Sequence, residues 1–182
     1  MKEIKLELMR RKDREMDSEF GKQIIDAAEY GVLSMIDGKR PYGLPLSIVR
    51  SEDLLYFHSA KAGRKVDVLG NNSNVSVVFV GDNKIPENYS PNQLEEMNND
   101  ATKAIQFISS VFTTEYESAI VTGAVMQVMD EAEKMKAMRL ICEKYTPDKM
   151  KYFDTAIRAG LKRTNVYKIE IDNIAAKRKK YD

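Results

Sequence analysis

The stretch "YFHSAKAGRKVDVL", residues 56–69, contains the one histidine of this 182-residue chain. His58 closes an apolar run that includes Tyr56 and Phe57. Ser59 and Ala60 follow it, then Gly63 and the adjacent cations Arg64 and Lys65. A helix beginning near Ala62 would place its first unpaired N–H groups beside those charges. A helix start, a hydroxyl and two cations make an anion site suited to a phosphate. The imidazole adds a group that gains or loses a proton near neutral pH. The same residues also fit a serine-capped helix with solvated cations and a histidine hydrogen-bonded at a strand end. A second stretch, "PYGLPLSIV", places Pro45 inside a strand pattern. Proline there requires an edge, a bulge or an open ladder. Unclaimed backbone groups on a surface with few charges suit the face and rim of a planar heteroaromatic ring. An edge strand whose proline discourages aggregation is the alternative.

Other catalytic sets are missing. One histidine and one cysteine allow a Cys–His pair only arithmetically, and nothing places the two together. The sequence holds no G-x-S-x-G, H-E-x-x-H, Walker loop or G-x-G-x-x-G. Redox or transfer chemistry would therefore fall to a bound organic cofactor. Cys142 has the spacing of a buried helix position, and a lone cysteine neither staples a fold nor builds a metal site with other cysteines.

Several elements must position these residues. "DSEFGKQIIDAAEYG" reads as a helix capped by Asp17 or Ser18 and ended by Gly31, with Phe20, Ile24 and Ala27 on one face. "GVLSMI" is a strand, Asp37 and Gly38 signal a hairpin, and "YGLPLSIVR" is the return strand. "SED" turns into the strand "LLYFHS". "AGRKVDVLGNN" is a short helix closed by Gly70 and Asn71, and "VSVVFVG" is a buried strand. Residues 82–112 are too long for an ordinary connection and read as a partly helical excursion or lid, with Ser90–Pro91 as a helix start. "YESAIVTGAVMQVM" alternates like a strand, with Gly123 at a bulge. Asp130 and Glu133 resemble a capping box for a helix whose Met135, Met138, Cys142 and Tyr145 form a core stripe. "RTNVYKIEID" is the last strand, and "AAKRKKYD" reads as a solvated basic tail.

The length suits a single domain over residues 1–182 with an insertion at about 82–112. Apolar residues make up 43% and charged residues 31%, a globular balance, and the net charge of +1 predicts no nucleic-acid partner. With no long apolar run and a charged start, "MKEIKLELMRRKDREM", the chain reads as cytoplasmic, without membrane contact. Hairpin-joined strands imply an antiparallel, Greek-key-like barrel of about six strands with flanking helices, mainly β with α.

Taken in order, "YGLPLSIV", "YFHSAKAGRKVDVL", "FTTEYESAIVTGAVMQVMDEAEKMKAMRLICEKY" and "LKRTNVYKIEID" resemble the nitroimidazole-resistance (Nim-type) flavoproteins. These belong to the pyridoxamine 5'-phosphate oxidase-like superfamily. The resemblance covers nearly the whole chain, although the 82–112 excursion is longer than the family's usual connection. It implies a split β-barrel binding FMN, commonly as a homodimer with two cofactors in the subunit groove. Carried over, Pro45, Leu46, Ser47 and Ile48 would line the isoalloxazine. His58, Ser59 and Ala60 would run along the cofactor, and Gly63, Arg64 and Lys65 would hold its phosphate. Thr113, Tyr116 and Ser118 would approach the flavin from the partner subunit. The implied activity is FMN-dependent reduction of small, electron-poor, nitroaromatic-type acceptors by NAD(P)H or another donor, with His58 as the catalytic proton or hydrogen-bond donor. A non-catalytic flavin- or heme-binding carrier or sensor is the alternative. FAD, heme or a deazaflavin are alternative ligands of similar barrels. Oxidation of pyridoxamine phosphate ranks low, because no second phosphate site is evident in the sequence.

Overall fold

The computed structural model describes residues 9–181. One antiparallel sheet organises them. Its strands are β1 (Glu15–Met16), β2 (Gly31–Asp37), β3 (Arg40–Leu46), β4 (Val49–Ser51), β5 (Leu54–Ala60), β6 (Asn74–Lys84), β7 (Glu115–Gln127) and β8 (Thr164–Lys179). Their order is β3-β2-β6-β7-β8-β5-β4, with β1 added to β8. The two edges, β3 and β4, are successive pieces of one chain run joined by Ser47 and Ile48, so the sheet closes through the chain rather than through a ladder. This is a split barrel. Six long runs were expected and eight strands form. The extra two arise because "YGLPLSIVR" is broken at residues 47–48 and because Glu15–Met16 pairs with β8.

Local chemistry explains most of the boundaries. Asp17 accepts a hydrogen bond from Phe20 N–H at 2.8 Å and caps α1 (Ser18–Ala27). Gly31 does not end that helix. It opens β2 instead, where an added Cβ would fall 2.7 Å from the Phe79 ring. Asp37 pairs with Arg40, leaving a two-residue hairpin in which Gly38 takes φ +62°. Pro45 lies on the edge strand β3, where its missing N–H costs no ladder bond. At Gly123 the β7–β8 register slips, and a Cβ would lie 2.0 Å from the Glu170 carbonyl oxygen.

Inward side chains of β2, β5, β6, β7 and β8, including Leu33, Phe57, Phe79, Val121 and Ile169, fill the barrel, and Ile24 and Ile25 of α1 join them. A second cluster lies outside the barrel. There α5 (Glu131–Tyr145) covers Tyr56 and Val166 with Ala137 and Ile141. The expected stripe of Met135, Met138, Cys142 and Tyr145 is therefore displaced. Those residues are half-buried, Cys142 included, and Ala137 and Ile141 form the buried spine. Helix α6 (Phe153–Gly160) packs beside α5 and has no counterpart in the sequence reading. The basic tail is not a solvated end either. Residues through Lys179 belong to β8 and pair with β7 as far as Tyr116.

β6 runs on to Lys84, so the excursion starts at Ile85. It contains α3 (Pro91–Asn98), with Ser90 and Gln93 forming a complete capping box, and the short α4 (Ala104–Gln106), which continues into a π turn at Phe107–Val111. No helix among the described residues is long and apolar enough to cross a membrane.

Candidate functional site

His58 lies in β5 opposite Val166 of β8, on the outer face, just beyond the cover of α5. On its other flank the ladder is open. Val49 pairs with Tyr56, and continuing that register would set Ser47 against His58, but pairing stops at Val49. Ser47 is exposed, and its backbone N–H and C=O take no partner among the described residues. Ile48 is fully buried and otherwise provided for. Its N–H donates to the Tyr145 hydroxyl at 2.9 Å, and that hydroxyl donates to its C=O at 2.8 Å. Lys144 Nζ donates to the same carbonyl at 3.2 Å and to the Ile25 carbonyl at 3.0 Å. A tyrosine hydroxyl and a lysine thus replace the missing strand partner, as buried backbone groups require. Neither residue was singled out for this role in the sequence. Tyr145 carried only a helix-stripe signal, and Lys144 carried none.

Tyr145→Phe should therefore leave the Ile48 N–H buried without an acceptor. The expected destabilisation is about 1–3 kcal/mol, with helix content unchanged. Chemical denaturation checks it, and an unaltered midpoint would mean that the break is held by packing alone.

Gly63 forms the bend between β5 and α2 (Arg64–Asn71). Its φ is +123°, and nothing lies within 4 Å of where a Cβ would project. Val66 and Asp67 N–H donate to the Gly63 carbonyl at 2.8 and 3.2 Å, which leaves the N–H groups of Arg64 and Lys65 at the free end of the helix. Ser59 does not cap this helix. It is buried and its hydroxyl donates to the Ala60 carbonyl at 2.7 Å. The two cations differ. Arg64 Nε donates to Asp37 at 2.8 Å, and its guanidinium lies 4.3 Å from the Tyr42 ring centroid. Lys65 has no carboxylate within 4.0 Å among the described residues, and its Nζ lies 5.8 Å from the Phe57 ring centroid. Burial lowers the pKa of Lys65. His58 is lowered as well, by burial first and by the Lys65 charge second, although its side chain still reaches solvent.

Behind His58, Tyr56 is buried, and its hydroxyl donates to Glu133 at 2.9 Å. Lys168 Nζ donates to both oxygens of that carboxylate, at 3.0 and 3.2 Å. Burial and then the Glu133 contact push Tyr56 up to about 12. The expected capping box is half made. Asp130 accepts from Glu133 N–H at 2.7 Å, but the Glu133 side chain serves the half-buried contact with Tyr56 and Lys168 instead.

Pro45 and Leu46 end β3 and run directly into the break. Thr113, Tyr116 and Ser118 are elsewhere. Tyr116 pairs with Lys179 and Ser118 with Lys177, whereas His58 pairs with Val166. Eleven to thirteen positions of β8 separate the two groups, roughly 35–45 Å of strand before curvature. Within one protomer the two groups therefore sit toward opposite ends of β8.

The fold and the opened ladder define the class first: a split barrel with an anion-suited helix start beside a gap. The model of the family described as pyridoxamine 5'-phosphate oxidase matches residues 18–90 and 92–178. The chain belongs to that family. It is similar to the crystal structure of a candidate 5-nitroimidazole antibiotic resistance protein from Bacteroides thetaiotaomicron, with 25% identity and a TM-score of 0.66 over 90% of this chain and 85% of that one. It is also similar in fold to the flavocytochrome Anf3 from Azotobacter vinelandii, with 18% identity and a TM-score of 0.72 over 96% and 73% of the two chains. An FAD and heme binding protein from Mycobacterium smegmatis shares 16% identity, with a TM-score of 0.69 over 92% and 74%. No curated protein matches the chain.

Proposed function

We propose that the protein binds a flavin, FMN in the first instance, and works as an oxidoreductase of the Nim type on small electron-poor acceptors. The observation that carries this reading is the broken ladder at Ser47–Ile48 facing His58, next to Lys65 and the free start of α2. The residues present fit the cofactor. Ser47 leaves a backbone donor and acceptor for the ring edge, and Lys65 with the α2 N–H groups offers fixed positive charge to a phosphate. Gly63 keeps the approach clear of any side chain. When bound, the flavin would supply the hydride and electron chemistry, taking two electrons from NAD(P)H or a similar donor and passing them to a nitro group. This chain's part is to orient the ring, hold the phosphate and present the His58 ring N–H as a proton or hydrogen-bond donor. The fold shared with a flavocytochrome and with an FAD and heme binding protein supports the flavin part of this reading. Purified protein should be yellow, and its flavin should bleach on anaerobic mixing with NADH or NADPH. A Soret band in place of a flavin spectrum would favour the heme carrier, and a bound but unreducible flavin would favour the non-catalytic one.

A homodimer belongs to the same reading. Tyr116 and Ser118 of β7 pair with β8 eleven to thirteen positions from the β8 partner of their own His58, and Thr113 lies just before β7, so a second copy would be the one to bring them to its flavin. Sedimentation at micromolar concentration should show a dimer. A monomer that retains flavin would sink the shared site.

A further inference from the structure

A space outside the barrel is left unfilled where α5 and α6 meet the start of β8. Phe153 and Ile157, the buried face of α6, and Met138 and Cys142, one turn apart on α5, wall a cavity of about 370 Å³ there. Thr164, the first residue of β8, also lines it. On the α6 side, Ala156 and Gly160 are too small to fill the space, and a Cβ on Gly160 would meet nothing within 4 Å. Interiors otherwise pack to crystal-like density, and small-molecule sites begin at about this volume.

Contacts at its margins hold the space open. Arg139 on α5 donates to Asp154 on α6 at 3.1 Å, and its guanidinium lies 4.4 Å from the Phe153 ring centroid. The Thr146 hydroxyl donates to the Cys142 carbonyl at 3.1 Å, and the Thr164 hydroxyl donates to the Gly160 carbonyl at 3.2 Å. Their protons are thus engaged within the protein, and the walls between them are apolar. Free donors stand at the mouth instead. Lys149 and Tyr152 line the cavity and are exposed, and their side chains have no hydrogen-bond partner among the described residues. Lys151 adds a second ammonium, 4.9 Å from the Tyr152 ring centroid. No carboxylate lines the cavity, and Lys149 has none within 4.0 Å among the described residues. Of the acidic residues nearby in the chain, Asp154 is held by Arg139, while Glu143 and Asp148 are exposed and take no part in the lining. An apolar interior with its one ionised lining group at the entrance fits a ligand of the same build.

We propose that this cavity binds a small amphipathic anion, an apolar monocarboxylate whose hydrocarbon body packs against Met138, Cys142, Phe153 and Ile157 and whose carboxylate meets Lys149. The thioether and thiol are soft, adaptable surfaces for such a body. The ammonium keeps its water on one side, so its share of the affinity is that of an exposed ion pair, and burial of the hydrocarbon supplies the rest. The site stands apart from the flavin reading. None of its lining residues belongs to the flavin set, and it meets that region only at Thr164, the ladder partner of Ala60.

Calorimetric titration of the full chain with octanoate tests the proposal, with octylammonium as the control of opposite charge. Octanoate should bind, and octylammonium should bind more weakly. Lys149→Ala should weaken octanoate about two- to fivefold, the usual contribution of an exposed ion pair. Gly160→Leu should fill the space and abolish binding with the thermal midpoint kept, and Ala156→Leu is the second filling variant should the first fail to fold. Cys142 is the chain's one thiol, so its alkylation by iodoacetamide reports on the same cavity and should slow when octanoate is bound. No octanoate binding, binding that survives in the folded filling variants, tighter binding of octylammonium, or a Cys142 alkylation rate unchanged by saturating octanoate would overturn the site. Flavin content, read separately by absorbance, reports on the flavin reading independently.

Discussion

Lys65→Ala is expected to weaken FMN binding by about 10- to 150-fold, corresponding to the roughly 1.5–3 kcal/mol of a charge-assisted contact to phosphate. Among the described residues Lys65 is the cation at the α2 start without a carboxylate within 4.0 Å, and burial already disfavours its charge. A phosphate arriving there would gain an unpaired ammonium. Arg64→Ala should cost less, because the guanidinium must first leave Asp37 and the Tyr42 ring. The order of the two variants is therefore as informative as their size. Flavin titration by fluorescence quenching measures both. Equal affinity in wild type and Lys65→Ala would remove Lys65 from the site. A larger loss in Arg64→Ala would mean that the Asp37 bridge opens on binding.

His58→Ala should slow flavin reduction or acceptor turnover by about 100-fold or more at full flavin occupancy, the usual contribution of a positioned proton donor. Thermal stability should stay within about 1 kcal/mol of wild type, since the side chain is exposed beyond the edge of α5. Stopped-flow reduction separates this outcome from the alternative, in which the histidine only hydrogen-bonds the cofactor. Unchanged rates with weakened FMN binding would establish the alternative.

The same residue allows a clean pH measurement, because the chain's one histidine gives one imidazole signal by NMR. Burial and Lys65 together hold its pKa below the ordinary 6.5 in the flavin-free protein. The unfolded chain then binds the proton more readily than the folded one. The stability tied to this group is complete above the unfolded value and is lost as pH falls through the folded value. Lys65→Ala should move the His58 titration upward, toward its ordinary value, by removing the like charge. A downward shift, or none, would separate the two residues in space.

What could be read from the residues alone was what neighbouring residues decide. Asp17, Ser90 with Gln93, and Asp130 cap helices through bonds spanning three positions. Asp37–Gly38 turns a hairpin, Gly123 marks a bulge and Pro45 announces an edge, because each follows from torsions and donors within a few residues. The grouping of His58, Gly63 and Lys65 was legible for the same reason, being local in the chain. Tertiary structure decided the rest. Tyr145 and Lys144 reach Ile48 across about a hundred residues, so no local pattern shows that the break in the barrel has been given its partners. The terminal cations became a strand because β7 and β1 presented edges to pair with, whereas their own composition favours solvation. The distance between His58 and the Thr113–Ser118 group follows from strand register, which is set by pairing between remote segments. That distance is why a site drawn as one set of residues along the sequence falls, in a single protomer, at two ends of a strand.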